Sequence, residues 1–441
     1  MRISVIGCGY LGAVHAAAMA ELGHEVVGVD VDRAKVEALS QGIAPFYEPG
    51  LPQLLERNVA AGRLRFTTHY EEIRGCSVHF IGVGTPQMSQ SGAADLRFVD
   101  AAVEAMIPHL GFSESGIEVI AGKSTVPVGT AQSIAQRVAS TGAFVVWNPE
   151  FLREGFAVKD TLEPDRMVYG LPEDPEIAIR AQRLLDEVYE PIIDAGTPRL
   201  VMDYATAELV KISANAFLAT KISFINAMAQ ICDAAGADVT ALAGAIGLDE
   251  RIGRRFLRAG IGFGGGCLPK DIRAFQVRAQ ELGVGDSLAF LREVDRVNDT
   301  VRLGVIHTVR ELLGADYSSA RIAVLGAAFK PDSDDMRNSP SLDLARHFAQ
   351  EVASVIVMDP EAGPVLRAQG ELPFEVAQTI DEALTGADLV LLGTEWAVFR
   401  QIDPTHAAAL VKRKIIVDGR NALRATSWKA AGWTYRGIGR R

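Results

Sequence analysis

The sequence predicts an α/β protein with two doubly wound parallel sheets joined by a long central helix. Three observations lead there. A short apolar run, Ile3 to Ile6, ends in the glycine turn Gly7-Cys8-Gly9-Tyr10-Leu11-Gly12. Further apolar runs follow, each closed by turn residues, and the pattern restarts at Arg321-Ile322-Ala323-Val324-Leu325-Gly326. Between them, Ala205 to Ala235 contains neither Pro nor Gly. Strands buried on both faces read as continuous apolar runs, and a long helix needs an unbroken hydrogen-bond ladder. A chain of 441 residues suits two or three domains. We place them at 1–202, 203–314 and 315–441.

Composition narrows the function. The chain is 48% hydrophobic and 22% charged, which is globular rather than disordered. A net charge of −11 argues against nonspecific nucleic-acid binding, and any anionic ligand must be held by local Lys and Arg. Cys8, Cys76, Cys232 and Cys267 are scattered, with no zinc-like spacing. That usage fits a reducing cytoplasm, and no metal is expected. No apolar run is long enough to span a membrane. The opening residues read as a strand, not a leader peptide.

The first element is the strand at Ile3–Ile6, then the glycine turn, then a helix from about Leu11 to Leu22. A second strand, Glu25 to Val29, ends at Asp30. Strand, GxGxxG, helix, strand and acid together form the dinucleotide fingerprint of a Rossmann-like domain. Gly7, Gly9 and Gly12 let a pyrophosphate approach the helix N-terminus. Asp30 would accept hydrogen bonds from ribose hydroxyls, which favours NAD over NADP, and Asp32 adds to that preference. Arg33 and Lys35 pull the other way. Three more strands follow: Ser77 to Val83, Ile117 to Ala121 and Phe144 to Trp147. They lead into Gly84-Thr85-Pro86, Lys123-Ser124-Thr125-Val126-Pro127 and Asn148-Pro149-Glu150-Phe151-Leu152-Arg153-Glu154. Ligands of open parallel sheets lie beyond the carboxyl ends of strands, where Thr85, Thr125, Glu150 and Glu154 fall. Gln87 to Ala94 reads as a polar loop or flap.

Leu200 to Met202 reads as a short strand, and Asp203 starts the long helix. Its residues leave almost no wholly polar face, so it is expected to be buried. Lys211 and Asn215, one turn apart, are then half-buried polar groups, and a buried ammonium needs a partner. An interface salt bridge is the plain reading; a substrate, a catalytic water, Asp271 or a glutamate is the functional one. Arg251, Arg254, Arg255 and Arg258 oppose the acidic background as either a solvated face or a phosphate contact. Four of the five residues Gly262 to Gly266 are glycine, and Cys267-Leu268-Pro269-Lys270-Asp271 follows. Pro269 suits the start of a helix, which places Cys267 at a helix N-terminus, where a thiolate is favoured.

After a helix from about Asp286 to Leu313, the third segment restarts with one glycine, so a second NAD site is not expected. Val355 to Met358, Leu389 to Gly393 and Lys414 to Val417 read as its further strands. Lys330, Arg337 and Arg420 follow strand ends and suit a nucleotide diphosphate. Asp332, Asp334 and Asp335 suggest either a metal or, as the preferred reading, turn formers that pair with Arg337.

NAD implies hydride transfer. Oxidising an alcohol needs no thiol, but oxidising an aldehyde to an acid does, through a thiohemiacetal and a thioester. NAD, a cradled Cys267, the Lys211/Asn215 pair and the carboxylates Asp271 and Glu150 together point to two successive oxidations of one alcohol. A two-electron alcohol dehydrogenase with a structural Cys267 and a silent nucleotide-sugar binding protein are the competing readings.

These motifs, with Tyr47-Glu48-Pro49-Gly50-Leu51 and Phe329-Lys330-Pro331, resemble the UDP-glucose/GDP-mannose dehydrogenase family over nearly the whole chain. The resemblance implies a nucleotide-sugar 6-dehydrogenase that uses two NAD per turnover. It implies Cys267 as nucleophile, Lys211, Asn215 and Asp271 as the oxyanion and water-handling group, Glu150 as acid–base, and Thr125 as a water or cofactor ligand. It implies cofactor contacts at Leu11, Asp30, Lys35, Thr85, Glu154, Lys270 and Arg337. Substrate contacts are implied at Glu150, Phe151, Leu152, Lys211, Asn215, Arg251, Phe256, Leu257, Arg258, Ala259, Gly260, Gly264 and Lys330, with Arg420 a weaker match. A homodimer or higher oligomer follows, with Arg251 reaching the neighbouring subunit's substrate. Arg153-Glu154-Gly155 and Pro164-Asp165-Arg166 look most like the UDP-glucose branch; TDP-glucose, GDP-mannose and UDP-N-acetylhexosamines are the alternatives. Gly266 and Ala227 depart from the family pattern, and Gly266 is expected to loosen the cysteine loop.

Overall fold

The structure, a computed structural model, describes residues 1–113 and 116–440. By packing, the chain forms two compact units, Met1–Ala214 with Arg273–Gly283, and Asn215–Ile272 with Val284–Arg441.

The first unit is built on β1 (Arg2–Ile6), β2 (Glu25–Val29), β3 (Leu64–Thr67), β4 (Val78–Ile81), β5 (Val119–Gly122), β6 (Phe144–Trp147), β7 (Met167–Leu171) and β8 (Arg199–Asp203). They lie in the order β3-β2-β1-β4-β5-β6-β7-β8. Pairing is parallel except where β6 meets β7 antiparallel at Trp147 and Gly170. Alternate residues of the central strands feed two cores, while β8 is largely exposed. Val5, Phe80, Ala121 and Val146 pack with the helix Tyr10–Glu21 on one face. Ile6, Ile81, Ile120 and Trp147 pack with Ile134 on the other. The strand order reverses between β1 and β4, and their carboxyl ends open the crevice where such sheets hold ligands.

The second unit carries β9 (Arg321–Leu325), β10 (Ser354–Met358), β11 (Glu375–Val376), β12 (Leu389–Leu392), β13 (Ile415–Asp418) and β14 (Thr434–Gly437). All are parallel, in the order β11-β10-β9-β12-β13-β14. This repeats the order of the first six strands of the other sheet, so the restart at Arg321 is a second doubly wound sheet. The turn after β9 does not run straight into a helix; the next α-helix is Pro340–Ala349. The amides of the turn are satisfied from within, because Asp359 accepts from Ala327 N–H at 2.7 Å and Ala328 N–H at 3.0 Å.

The helix Tyr204–Ala235 is present as expected. Asp203 caps it, accepting from the Thr206 N–H at 2.8 Å. It is not buried all round. Phe217, Phe224 and Ile231 are 64%, 47% and 61% exposed. Spaced seven apart, they form one apolar stripe. Ile225, Ala229 and Cys232 instead pack with Val239, Leu257 and Ala259. Strands β3, β7, β11 and β14 went unread in the sequence. Gln87–Ala94 closes on itself as a short hairpin, with a bridge between its end residues.

Candidate active site

In the first unit the glycine turn has the shape the fingerprint requires. A Cβ on Gly12 would lie 1.8 Å from the Gly7 carbonyl oxygen, so that helix packs closer to the turn than any other residue permits. A Cβ on Gly9 would meet nothing within 4 Å, leaving open space above the helix N-terminus. Asp30 is buried at the end of β2 and accepts from Cys8 N–H at 2.8 Å and Asp32 N–H at 2.9 Å. Lys35 lies 2.9 Å from the same carboxylate, and Arg33 pairs with Glu37. Both basic residues are thus drawn to acids, and a 2′-phosphate would meet the Asp30 charge. This donor and acceptor set fits NAD.

Along the rim, Thr85 donates to the Thr125 carbonyl at 2.8 Å and joins the loops after β4 and β5. Lys211 pairs with Glu150 at 3.1 Å, both side chains largely buried. The ammonium that needed a partner has a glutamate. The other Glu150 oxygen accepts from the Leu152 N–H at 2.6 Å. Phe151 lies under the Arg166 guanidinium, 3.9 Å from its ring centre.

One residue here escaped sequence reading. Lys123, at the end of β5, is buried and donates to Asn148 Oδ1 at 3.0 Å and Tyr189 Oη at 3.3 Å. Burial pushes its ammonium down to about 8; Glu150 opposes that shift and Lys211 adds to it. A cavity of about 50 Å³ runs beside it, lined by Leu11, His15, Asn148, Glu150, Leu152 and Tyr189 among others. That is room for a water. A lysine at a strand end looks like any rim residue in sequence; only its burial singles it out.

In the second unit, Cys267 immediately precedes the helix Leu268–Glu281, and its carbonyl accepts the Asp271 N–H at 2.9 Å. It is exposed, whereas Cys8, Cys76 and Cys232 are buried. Buried Asp271 accepts from Asn215 Nδ2 at 2.6 Å and from Lys270 Nζ at 2.6 Å. The glycine loop is pressed tightly in place: a Cβ on Gly264 would lie 2.1 Å from the Asn338 carbonyl oxygen. One on Gly266 would meet the Arg337 guanidinium at 2.4 Å. The Arg337 guanidinium fills the space a side chain at 266 would take, so Gly266 does not leave the loop slack. Arg337 also grips Asp335 through both carboxylate oxygens.

The remaining substrate candidates divide. Arg420 donates to the carbonyls of Gly393, Gly262 and Phe329 at 2.8, 2.8 and 3.1 Å, which fastens the glycine loop to the second sheet. Leu257 and Ala259 are core residues, and the Gly260 N–H is held by Asn226 at 2.9 Å. Phe256 is exposed at a φ of 64°, a strained conformation for a bulky residue. Arg258 is 3.6 Å from Glu395. Lys330 lies over the Phe329 ring. The Arg251 side chain is 88% exposed and pairs with Asp249.

A fingerprinted dinucleotide sheet followed by a second doubly wound sheet is the framework of an NAD-dependent dehydrogenase. Comparison with known proteins makes the class specific. Three family models match in sequence: the NAD binding domain, central domain and UDP binding domain of the UDP-glucose/GDP-mannose dehydrogenase family, over residues 1–193, 205–300 and 323–425. The chain is 41% identical to UDP-glucose 6-dehydrogenase TuaD of Bacillus subtilis (strain 168), covering all of this chain and 93% of that one. It is 39% identical to UDP-glucose 6-dehydrogenase of Rhizobium meliloti (strain 1021), with full coverage of both. It matches the solved UDP-glucose dehydrogenase of Pyrobaculum islandicum at a TM-score of 0.88 and 37% identity, covering 100% and 98% of the two chains. The chain belongs to the UDP-glucose/GDP-mannose dehydrogenase family.

Native protein should take up one equivalent of iodoacetamide, at Cys267 alone, as read by peptide mass spectrometry; label on Cys8, Cys76 or Cys232 would contradict the burial described. Lys123 generates a second prediction. Between pH 8 and its ordinary value of 10.5, the unfolded chain holds the Lys123 proton and the folded chain does not. Stability therefore rises with pH across that window. Lys123→Met should flatten the rise, measured by urea midpoints at pH 7.5 and 10.

Proposed function

We propose that this protein oxidises UDP-glucose at C6 to UDP-glucuronate, with two NAD consumed per substrate. The single observation that carries the reading is the exposed Cys267 at a helix N-terminus beside the Asn215–Asp271–Lys270 cluster. Its choice of substrate is supported by the two bacterial relatives named UDP-glucose 6-dehydrogenase.

NAD, when bound, takes up hydride. In our reading Gly7, Gly9, Leu11, Gly12, Asp30, Lys35, Thr85, Thr125, Glu154, Lys270 and Arg337 hold it. Glu150, anchored on Lys211 and the Leu152 amide, removes the C6 hydroxyl proton as the first hydride leaves. The Cys267 sulfur then adds to the aldehyde carbon, and Lys211 and Asn215 steady the oxygen that gains charge. One such donor supplies about 3 kcal/mol. Loss of the second hydride leaves a thioester on Cys267. Water, handled by Asp271 and Glu150, releases the carboxylate and returns the thiol. The balance is alcohol plus water to carboxylate, two hydrides and three protons. Arg251, Phe256, Leu257, Arg258, Ala259, Gly260, Gly264, Lys330 and Arg420, with Phe151 and Leu152, are assigned to the nucleotide sugar. Where Leu257 and Ala259 take part, they do so through backbone groups, since their side chains are core.

We also assign the stripe Phe217, Phe224 and Ile231 to a homodimer interface, because a soluble chain rarely leaves such a stripe uncovered. The middle segment 203–314 then serves as the joining and dimer-forming part. Four free cysteines suit a reducing compartment, which supports a cytoplasmic location.

Wild-type enzyme should form two NADH per UDP-glucose, and Cys267→Ala should make no acid at steady state while binding NAD normally. One NADH per substrate, or wild-type turnover in the variant, would remove the nucleophile from the scheme. Phe217→Glu combined with Phe224→Glu should convert the dimer to monomer by light scattering on a sizing column; an unchanged mass would place the interface elsewhere.

A further inference from the structure

The motif Tyr47-Glu48-Pro49-Gly50-Leu51 has no part in the chemistry above, yet its glutamate is buried. Burying a carboxylate is costly unless hydrogen bonds replace its water. Glu48 has three such bonds. One oxygen accepts the Ala157 N–H at 2.7 Å. The other accepts the Gly155 N–H at 2.7 Å and the Tyr10 hydroxyl. The Gly155 N–H also lies 3.0 Å from the Tyr10 oxygen, so the three groups form one closed knot.

The two ends of this knot are functionally distinct. Tyr10 is the first residue of the helix that follows Gly9, within the fingerprint itself. Burial, followed by the Glu48 carboxylate, pushes its phenol far above its ordinary value, so it remains a donor. Phe46 packs on its ring at 4.7 Å. Gly155 closes the loop that begins at Asn148 and carries Glu150 and Glu154. Its φ of 77° turns the N–H toward Glu48, a conformation glycine adopts without strain. The same loop is fixed at its other end by Asn148, which donates to the Val168 carbonyl at 3.0 Å and accepts from Lys123 and Tyr189.

We infer that Glu48 is a positioning residue that fastens the Glu150 loop to the dinucleotide-binding helix through Tyr10. Cofactor occupancy and the order of the Glu150 loop are thereby coupled. A carboxylate serves all three donors with two acceptor oxygens. Glutamine has one oxygen and would turn its NH2 toward at least one of them, leaving a buried N–H or O–H unsatisfied. The kinetic consequence rests on the assignment of Glu150 as the acid–base group; the knot itself does not.

Glu48→Gln, Tyr10→Phe and the double variant test this in the full-length protein. Hydrogen exchange at the Gly155 and Ala157 amides should quicken about tenfold in Glu48→Gln, the loss of one hydrogen bond. NAD should slow exchange across 150–157 in wild type and leave it unchanged in Tyr10→Phe. The NAD dissociation constant, by calorimetry, should stay close to wild type. Turnover with UDP-glucose should fall about tenfold or more in Glu48→Gln, with little change in KM. The double variant should match Glu48→Gln, because Tyr10 acts through Glu48. Unchanged exchange at both amides, or effects of the two substitutions that simply multiply, would overturn the inference. Should Glu48→Gln not fold, the NAD-dependent exchange of Tyr10→Phe decides it alone. A wild type that ignores UDP-glucose would sink the substrate assignment and leave the exchange measurements to decide this one.

Discussion

A buried carboxylate that accepts backbone N–H groups is the interaction on which the working turns of this protein depend. Parallel sheets send their chain into loops at every strand end, and those loops carry amides with no ladder partner. Asp30 takes the amides of Cys8 and Asp32. Glu48 takes those of Gly155 and Ala157. Glu208, on the long helix, takes Gly129 and Ala131, each at 2.7 Å, at the head of the helix Thr130–Val138 that follows Thr125. In the second unit Asp359 and Asp418 do the same for Ala327, Ala328 and Leu423. Each acid replaces lost water with two or more donors, which keeps its burial tolerable.

This explains how an acidic protein can hold anionic ligands. The net charge is −11, yet many of the acids are turned inward on amides or paired with a base. Lys211 is left close to Glu150, Lys270 to Asp271, and Arg337 to Asp335. The Lys211–Glu150 and Lys270–Asp271 pairs are largely buried, so removing one member of either leaves a costly lone charge, whereas the Arg337 side chain is mostly exposed. Lys123 stands apart: its hydrogen-bond partners are neutral, and burial depresses its ammonium.

The second sheet copies the strand order of the first without copying its turn. In the first unit the helix starts directly after Gly9, and its N-terminal amides face open space. In the second, the helix waits until Pro340, and Asp359 and Trp396 close the turn, the indole N–H donating at 3.0 Å. One architecture thus carries a dinucleotide turn in one unit and a self-satisfied turn in the other.

The fingerprint, the strands β1, β2 and β6, the long helix and the helix start after Cys267 were legible in sequence, because each is set by local chemistry: glycine angles, apolar runs and a proline. Strands β3, β7, β11 and β14 were not: β3, β11 and β14 are interrupted by polar residues such as Arg65, Glu375 and Arg436, and all four are fixed by pairing with strands elsewhere in the sheet. The long helix shows the same limit, since apolar content does not say which face meets the protein and which is left exposed. By itself the sequence determined the two sheets, the dinucleotide turn and the set of chemical groups available. Only the tertiary structure decided that Lys211 meets Glu150, that Lys123 is buried, that Arg420 serves carbonyls and that Glu48 accepts from both Tyr10 and the Gly155 and Ala157 amides. Burial and pairing depend on residues far apart in the chain, and no local pattern encodes them.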